Sequence, residues 1–147
     1  MSWSIGEISR MFDIPVSTLR YYDTEGLFPD IQRKSGIRIF TETEIERLRM
    51  IECLKKSGLE IREIRQFMDL VAKEDKTLQQ RHDLMQRQLS AIDQKIEEMQ
   101  KVRAMVKFKC WYYDESLKDG STGRVEAMLP DGLPEDIQKL YDLAHKQ

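Results

Sequence analysis

Cysteine, proline and glycine are all scarce in this 147-residue chain, at 2, 4 and 7 residues respectively. So little glycine and proline excludes a collagen-like or disordered polymer and argues against a loop-rich sandwich, leaving helix as the expected state. The two cysteines, Cys53 and Cys110, lie 57 positions apart with no CxxC. That spacing fits a reducing cytoplasm, and neither a disulfide scaffold nor a four-ligand zinc site, so no metal and no cofactor is expected. No run of about 18 apolar residues exists, and Met1 to Ile5 lack a basic segment followed by an apolar one; the expectation is an untargeted, cytoplasmic chain without membrane contact. Catalytic constellations are missing too: Glu97-Glu98 and Glu135-Asp136 have no evident acid-base partner, and there is no Ser/His/Asp set or glycine-rich phosphate loop. An enzyme is therefore not expected.

An excess of charge of one sign is also missing, since 24 Lys/Arg stand against 26 Asp/Glu for a net charge of −2. The charge is nevertheless segregated: −1 over residues 1–76 (13 basic, 14 acidic), +3 over 77–110 (7 and 4) and −4 over 111–147 (4 and 8). Any basic face must come from local clustering.

Helix punctuation is plentiful at the N-terminus. Ser4 and Glu7 have capping-box spacing, and Ile5, Ile8, Met11 and Phe12 follow on one face. Asp13-Ile14-Pro15 stops that helix, Ser17 is positioned to cap a second through Arg20, Tyr21 and Tyr22, and Gly26 ends it as a left-handed cap. Two short helices joined by a tight turn form a helix-turn-helix pattern. In Ile31 to Phe40, β-branched residues flank Lys34-Ser35-Gly36, and Arg33, Lys34 and Arg38 meet no acid within the segment, which reads as a basic hairpin wing. Thr41 and Glu44 then open a third helix with Ile45, Leu48 and Ile51 inward, capped by Gly58, and a fourth carries Ile61, Ile64, Phe67, Met68 and Val71.

From a third capping-box spacing, Thr77 and Gln80, the pattern becomes a seam. Leu78, Met85, Ile92, Met99 and Val106 recur every seven residues, with His82, Leu89, Ile96 and Arg103 at the complementary position. This predicts a coiled coil of about four heptads, with polar His82 and Arg103 tuning register. No second stretch matches it, so the seam is expected to close against another copy in a homodimer. Beyond Phe108 the sequence reads as acidic and irregular, with a last amphipathic helix from Pro134. The expected fold is mainly α: a winged helix-turn-helix domain over 1–74, a coiled-coil dimerisation helix over 75–109, and a short helical C-terminal tail over 110–147.

Two such units on one seam can enter successive major grooves of double-stranded DNA at a pseudo-palindromic operator. Ser17, Thr18, Arg20, Tyr21 and Tyr22 have the side chains for phosphate and base contacts, although one of the two adjacent tyrosines can equally be core. Arg33, Lys34 and Arg38 suit phosphates. The alternative is a DNA-binding interaction protein whose coiled coil and acidic tail recruit a partner, with any effector in a small aromatic pocket at Trp111, Tyr112 and Tyr113.

Taken together, Ser4-Ile5-Gly6-Glu7-Ile8, Ser17-Thr18-Leu19-Arg20-Tyr21-Tyr22-Asp23, Gly26-Leu27-Phe28 and Gly36-Ile37-Arg38-Ile39-Phe40 resemble the MerR family of transcriptional regulators. The resemblance is dense over residues 3 to about 72 and continues by pattern to about 108. It implies a winged helix-turn-helix, an antiparallel coiled-coil dimer, and distortion of an overlong promoter spacer so that RNA polymerase can use it. By position, Thr18, Arg20 and Tyr21 would contact DNA, Arg38 would hold a phosphate, and Lys56 with Gly58 would lie at a second wing. The chain departs from metal-sensing members in having no cysteine from Lys73 to Thr77, and from multidrug-sensing members in its short tail. Around Cys53 it is similar to the aldehyde- and nitrosative-stress branch, where the resemblance makes this cysteine a sensing thiol. Arg49 and Lys56 on its helical face would favour thiolate, while the helix C-terminus and the usual packing role of a lone cysteine count against it.

Overall fold

A computed structural model describes residues 1–147 as two compact units, Met1–Gln88 and Leu89–Gln147. The first begins with β1 (Ser2–Trp3), α1 (Ile5–Phe12) and α2 (Val16–Thr24). It continues through β2 (Gln32–Lys34), β3 (Ile37–Thr41), α3 (Glu42–Lys56), α4 (Ile61–Ala72) and a 3-10 turn, Glu74–Thr77. The long helix α5 (Leu78–Asp119) starts in this unit, and the second unit adds α6 (Gly123–Glu126) and α7 (Glu135–Ala144). No helix is long and apolar enough to cross a membrane.

Local chemistry accounts for most boundaries. Ser4 and Glu7 form the capping box of α1, with the Glu7 amide donating to Ser4 Oγ at 3.2 Å, and Thr41 with Glu44 does the same for α3. Gly26 and Gly58 adopt φ of +82° and +102°. Each closes a Schellman motif: the Leu27 amide donates to the Tyr22 carbonyl and the Gly26 amide to Asp23, as the Leu59 amide donates to Leu54 and the Gly58 amide to Lys55. The hairpin turns on Ser35 and Gly36 alone, both at positive φ, as a two-residue turn that matches strand twist demands, while Lys34, expected in the turn, pairs with Ile37 in the ladder. The short β1 strand, absent from the sequence expectations, adds antiparallel to β3 (Ser2↔Thr41, Trp3↔Phe40), giving a sheet of order β1-β3-β2.

The core of this unit unites Ile8, Leu19, Tyr22, Leu27, Phe28, Phe40, Leu48, Ile51, Ile64 and Met68, with Leu84 and Met85 from the start of α5 packed against it. In the second unit, Phe108 and Tyr112 of α5 gather Val125, Leu133 and Ile137, with Trp111, Leu140 and Tyr141 around them.

Three expectations need correcting. Ser17 does not cap α2; Pro15 is the cap, its carbonyl accepting from the Thr18 and Leu19 amides, which leaves Ser17 exposed in the first turn. Thr77 forms no capping box with Gln80. Its buried hydroxyl instead donates to the carbonyl of Leu70 in the last turn of α4, with the Glu74 carbonyl of the 3-10 turn also within reach at 3.2 Å. Finally, the segment from Phe108 to Asp119 is helical, not irregular. No glycine or proline interrupts the chain from Leu78 to Asp119, and the buried series Ala104, Phe108, Tyr112 and Ser116 supplies an inward face at four-residue spacing until Gly120.

Candidate nucleic-acid interface

The centre of the candidate interface is α2, a helix of nine residues whose successive side chains diverge by about 100° and so serve different neighbours. Leu19 is fully buried. Ser17 and Arg20 are exposed, Thr18 is half-buried, and Tyr21 is 49% exposed. Tyr22, by contrast, is 1% exposed. Its hydroxyl donates to Glu52 Oε1 at 2.8 Å and accepts from Lys55 Nζ at 3.0 Å, tying α2 to the last turns of α3. Burial raises the Tyr22 hydroxyl above the ordinary tyrosine pKa, and the hydrogen bond to Tyr22 raises Lys55. Tyr22 is thus removed from the set of DNA-contacting candidates: of the two adjacent tyrosines it is the one the core takes, because it points toward α3 while Tyr21 points out.

On its other side α2 meets the wing. Arg33 and Arg38 are register partners across the hairpin. The hairpin has no acid of its own, and both arginines find one on α2: Asp23 Oδ2 accepts from Arg33 Nη2 at 2.8 Å and from Arg38 Nε at 2.6 Å. Arg33 keeps 44% of its side chain exposed and Arg38 21%. Lys34, at the hairpin tip, is exposed. A shallow groove of about 400 Å³ runs between the start of α1 and the wing, lined by Ser2, Ser4, Lys34, Ser35 and Arg38 among others. Lys56 and Gly58 are exposed at the α3–α4 turn, next along the chain from Lys55. The helix α2, the wing and the last turns of α3 are therefore joined through polar contacts made by two consecutive residues, Tyr22 and Asp23. Neither Asp23 nor Glu52 was singled out from sequence; the only hint was an acid following two tyrosines on a helix that precedes a basic hairpin.

Cys53 is exposed on α3, between Glu52 and Lys55. Of its two expected cationic neighbours, Arg49 is paired with Glu46, and Lys56 is exposed. No cluster of His, Cys, Asp and Glu that could hold a metal is present. Trp111 and Tyr112 are used in packing, Phe108 and Trp111 stacking at 6.3 Å between centroids, while Tyr113 is 56% exposed.

Along α5 the expected seam residues lie largely open: Leu78 is 56%, Leu89 53%, Ile96 51%, Met99 65% and Val106 57% exposed. His82 is exposed, Ile92 is half-buried, and Met85 packs on the first unit.

The family described as MerR HTH family regulatory protein matches residues 3–71, and the one described as MerR, DNA binding matches residues 45–107. An uncharacterised HTH-type transcriptional regulator of Haemophilus influenzae is 28% identical over 136 residues, 92% of this chain and 98% of that one. Among solved structures, HiNmlR, described as a MerR family regulator lacking the sensor domain and bound to promoter DNA, is similar with a TM-score of 0.76 and 27% identity, over 84% of this chain and 99% of that one. A MerR family transcriptional regulator from Bacillus thuringiensis is similar with a TM-score of 0.69 and 38% identity, over 75% of this chain and 97% of that one. With its winged helix-turn-helix and long helix, the chain belongs to the MerR family of DNA-binding transcriptional regulators.

Proposed function

We propose that this regulator works as a homodimer on promoter DNA, distorting the duplex so that RNA polymerase initiates differently when it is bound. The observation that carries this is the bracketed recognition helix: Tyr22 and Asp23 fix α2 from both sides while Ser17, Arg20 and Tyr21 stay open to a groove. Thr18 borders that face, the wing residues Arg33, Lys34 and Arg38 offer phosphate contacts, and Lys56, beside the exposed Gly58 at the α3–α4 turn, offers another. That HiNmlR is described as bound to promoter DNA supports the same partner here. Such work belongs in the cytoplasm.

Pairing of two copies is supported by the open seam. Its heptad steps continue from Val106 through Cys110, Tyr113 and Leu117, the last 81% exposed, so the apolar row is longer than four heptads. So many exposed large apolar side chains along one helix are uncommon on a monomer. Arg103 stands at a seam position; a parallel pair would set Arg103 against Arg103, which favours the antiparallel arrangement. The direct test combines sedimentation of the full chain with titration of a duplex from upstream of its own gene. A dimer is expected to bind that duplex, and Arg38→Ala to bind more weakly with a salt slope shallower by about one unit. A monomer at working concentrations removes the dimer, and unchanged binding by Arg38→Ala removes the wing contact.

The effector reading rests on Cys53, whose thiol is exposed on the same stretch of α3 that holds Tyr22 through Glu52 and Lys55. Addition to an aldehyde bonds sulfur to the carbonyl carbon and passes the thiol proton to the oxygen, giving a hemithioacetal beside that tie. Cys53→Ser is expected to keep DNA affinity and lose the transcriptional response to a short-chain aldehyde. An intact response makes Cys53 a surface residue only.

A further inference from the structure

Arg33 and Arg38 sit directly opposite each other on β2 and β3. Like charges facing across a strand pair destabilise it, and the hairpin carries no acid of its own between Ile31 and Phe40. The counter-charge comes from outside, from Asp23 in the last turn of α2, whose side chain is only 10% exposed. One of its oxygens accepts from both guanidinium groups, at 2.8 and 2.6 Å. The bond to Arg38 uses Nε and leaves both terminal nitrogens for another acceptor.

We propose that Asp23 is a positioning residue for DNA binding: by bridging Arg33 and Arg38 it locks the wing to the recognition helix and aims Arg38 at a phosphate, so an acid on a polyanion-binding face strengthens the complex. The proposal rests on the phosphate contact assigned to Arg38 above. Two effects of opposite sign compete at this position. Removing a carboxylate near DNA lowers repulsion and by charge alone should tighten binding. Removing the bridge frees two mutually repelling guanidinium groups, so that Arg38 must be ordered at the moment of binding, an entropic cost that preorganisation avoids. The short, charge-assisted and largely buried geometry makes the second effect the larger.

The experiment uses the full chain and a duplex from upstream of its own gene, with affinity measured across a salt series for wild type, Asp23→Asn, Asp23→Glu, Arg38→Ala and the double variant Asp23→Asn/Arg38→Ala, and thermal melts run alongside. Asp23→Asn is expected to weaken binding by about tenfold, the scale of one oriented charge-assisted contact, although the protein loses a negative charge. The double variant should bind no more weakly than Arg38→Ala alone, because the role of Asp23 passes through Arg38. Asp23→Glu, which keeps the charge and lengthens the arm, should fall between wild type and Asp23→Asn; if Asp23→Asn does not fold, wild-type affinity in Asp23→Glu overturns the proposal. Equal or tighter binding by folded Asp23→Asn alongside weaker binding by Arg38→Ala overturns the bridge while sparing the wing contact. Additive losses in the double variant also overturn it. Wild-type affinity in Arg38→Ala removes the phosphate contact itself and the proposal with it.

Discussion

In the N-terminal unit, apolar side chains from four helices and a sheet meet in one core, and polar side chains tie its elements together: Tyr22 to Glu52 and Lys55, Asp23 to Arg33 and Arg38, Arg47 to Asp30. In the C-terminal unit the core is a handful of residues around Phe108 and Tyr112, and the helix that supplies them leaves Met99, Val102, Val106, Tyr113 and Leu117 more than half exposed. The difference follows from size, because a short chain segment has too little interior to bury every apolar side chain it carries. A helix with one apolar stripe packed at home and another left open is built for two neighbours. The first is its own tail; the second, in the proposed dimer, is another α5.

The most severe way to break this contrast is to remove the anchor of the smaller core. Phe108 is 2% exposed and touches the rings of Trp111, Tyr112 and Tyr141. Truncating a buried phenylalanine to alanine costs about 3–5 kcal/mol, a large share of what so small a unit has. Phe108→Ala is therefore expected to abolish amide-exchange protection in Val125 to Ala144 while protection in α1 to α4 persists. Loss of protection in both units together would mean that they fold as one.

The open stripe gives a milder and more selective prediction. Ile96 is 51% exposed in the single chain, so Ile96→Glu should alter the stability of that chain by no more than about 0.5 kcal/mol. In a paired seam the same change puts a carboxylate among apolar residues, so the sedimenting mass should fall by half while the helical circular dichroism of each chain stays close to wild type. A dimer that survives the change places the interface elsewhere.

The same contrast explains what could be read from sequence. The N-terminal unit announces its boundaries locally: Ser4/Glu7, Thr41/Glu44, Gly26, Ser35-Gly36 and Gly58 each satisfy a backbone need within a few residues, and all appear in the structure where their chemistry places them. Ser17 and Thr77 carried the same kind of signal and failed, because α2 starts one residue before Ser17 with Pro15 as its cap, and the Leu70 carbonyl of α4 takes the Thr77 hydroxyl. The length of α5 was missed for a different reason. A seam is visible only where apolar residues keep heptad spacing, and between Lys107 and Asp119 the four-residue series Phe108, Tyr112 and Ser116 overlies it. The double use of α2 was out of reach as well, since which of two adjacent tyrosines turns inward depends on where α3 lies, and no local pattern records that.

The finest test concerns the polar tie on the α3 side of the recognition helix. Burial raises the pKa of the Tyr22 hydroxyl, and its hydrogen bond raises that of Lys55, so both groups hold their protons more tightly folded than unfolded. Groups shifted in this direction contribute stability that is fully present below their unfolded values, near about 10 to 10.4, and is lost as pH rises through the folded ones. The N-terminal unit should therefore melt at progressively lower temperature above about pH 10. Tyr22→Phe fills the same volume without the hydroxyl, so it should cost about 1–2 kcal/mol at neutral pH, where Glu52 and Lys55 lose their shared partner. It should also flatten the alkaline limb of the melting curve, because the tyrosine proton no longer contributes to it. An alkaline limb as steep in Tyr22→Phe as in wild type would assign that loss of stability to groups outside the tie, and Tyr22 would hold α2 through its ring alone.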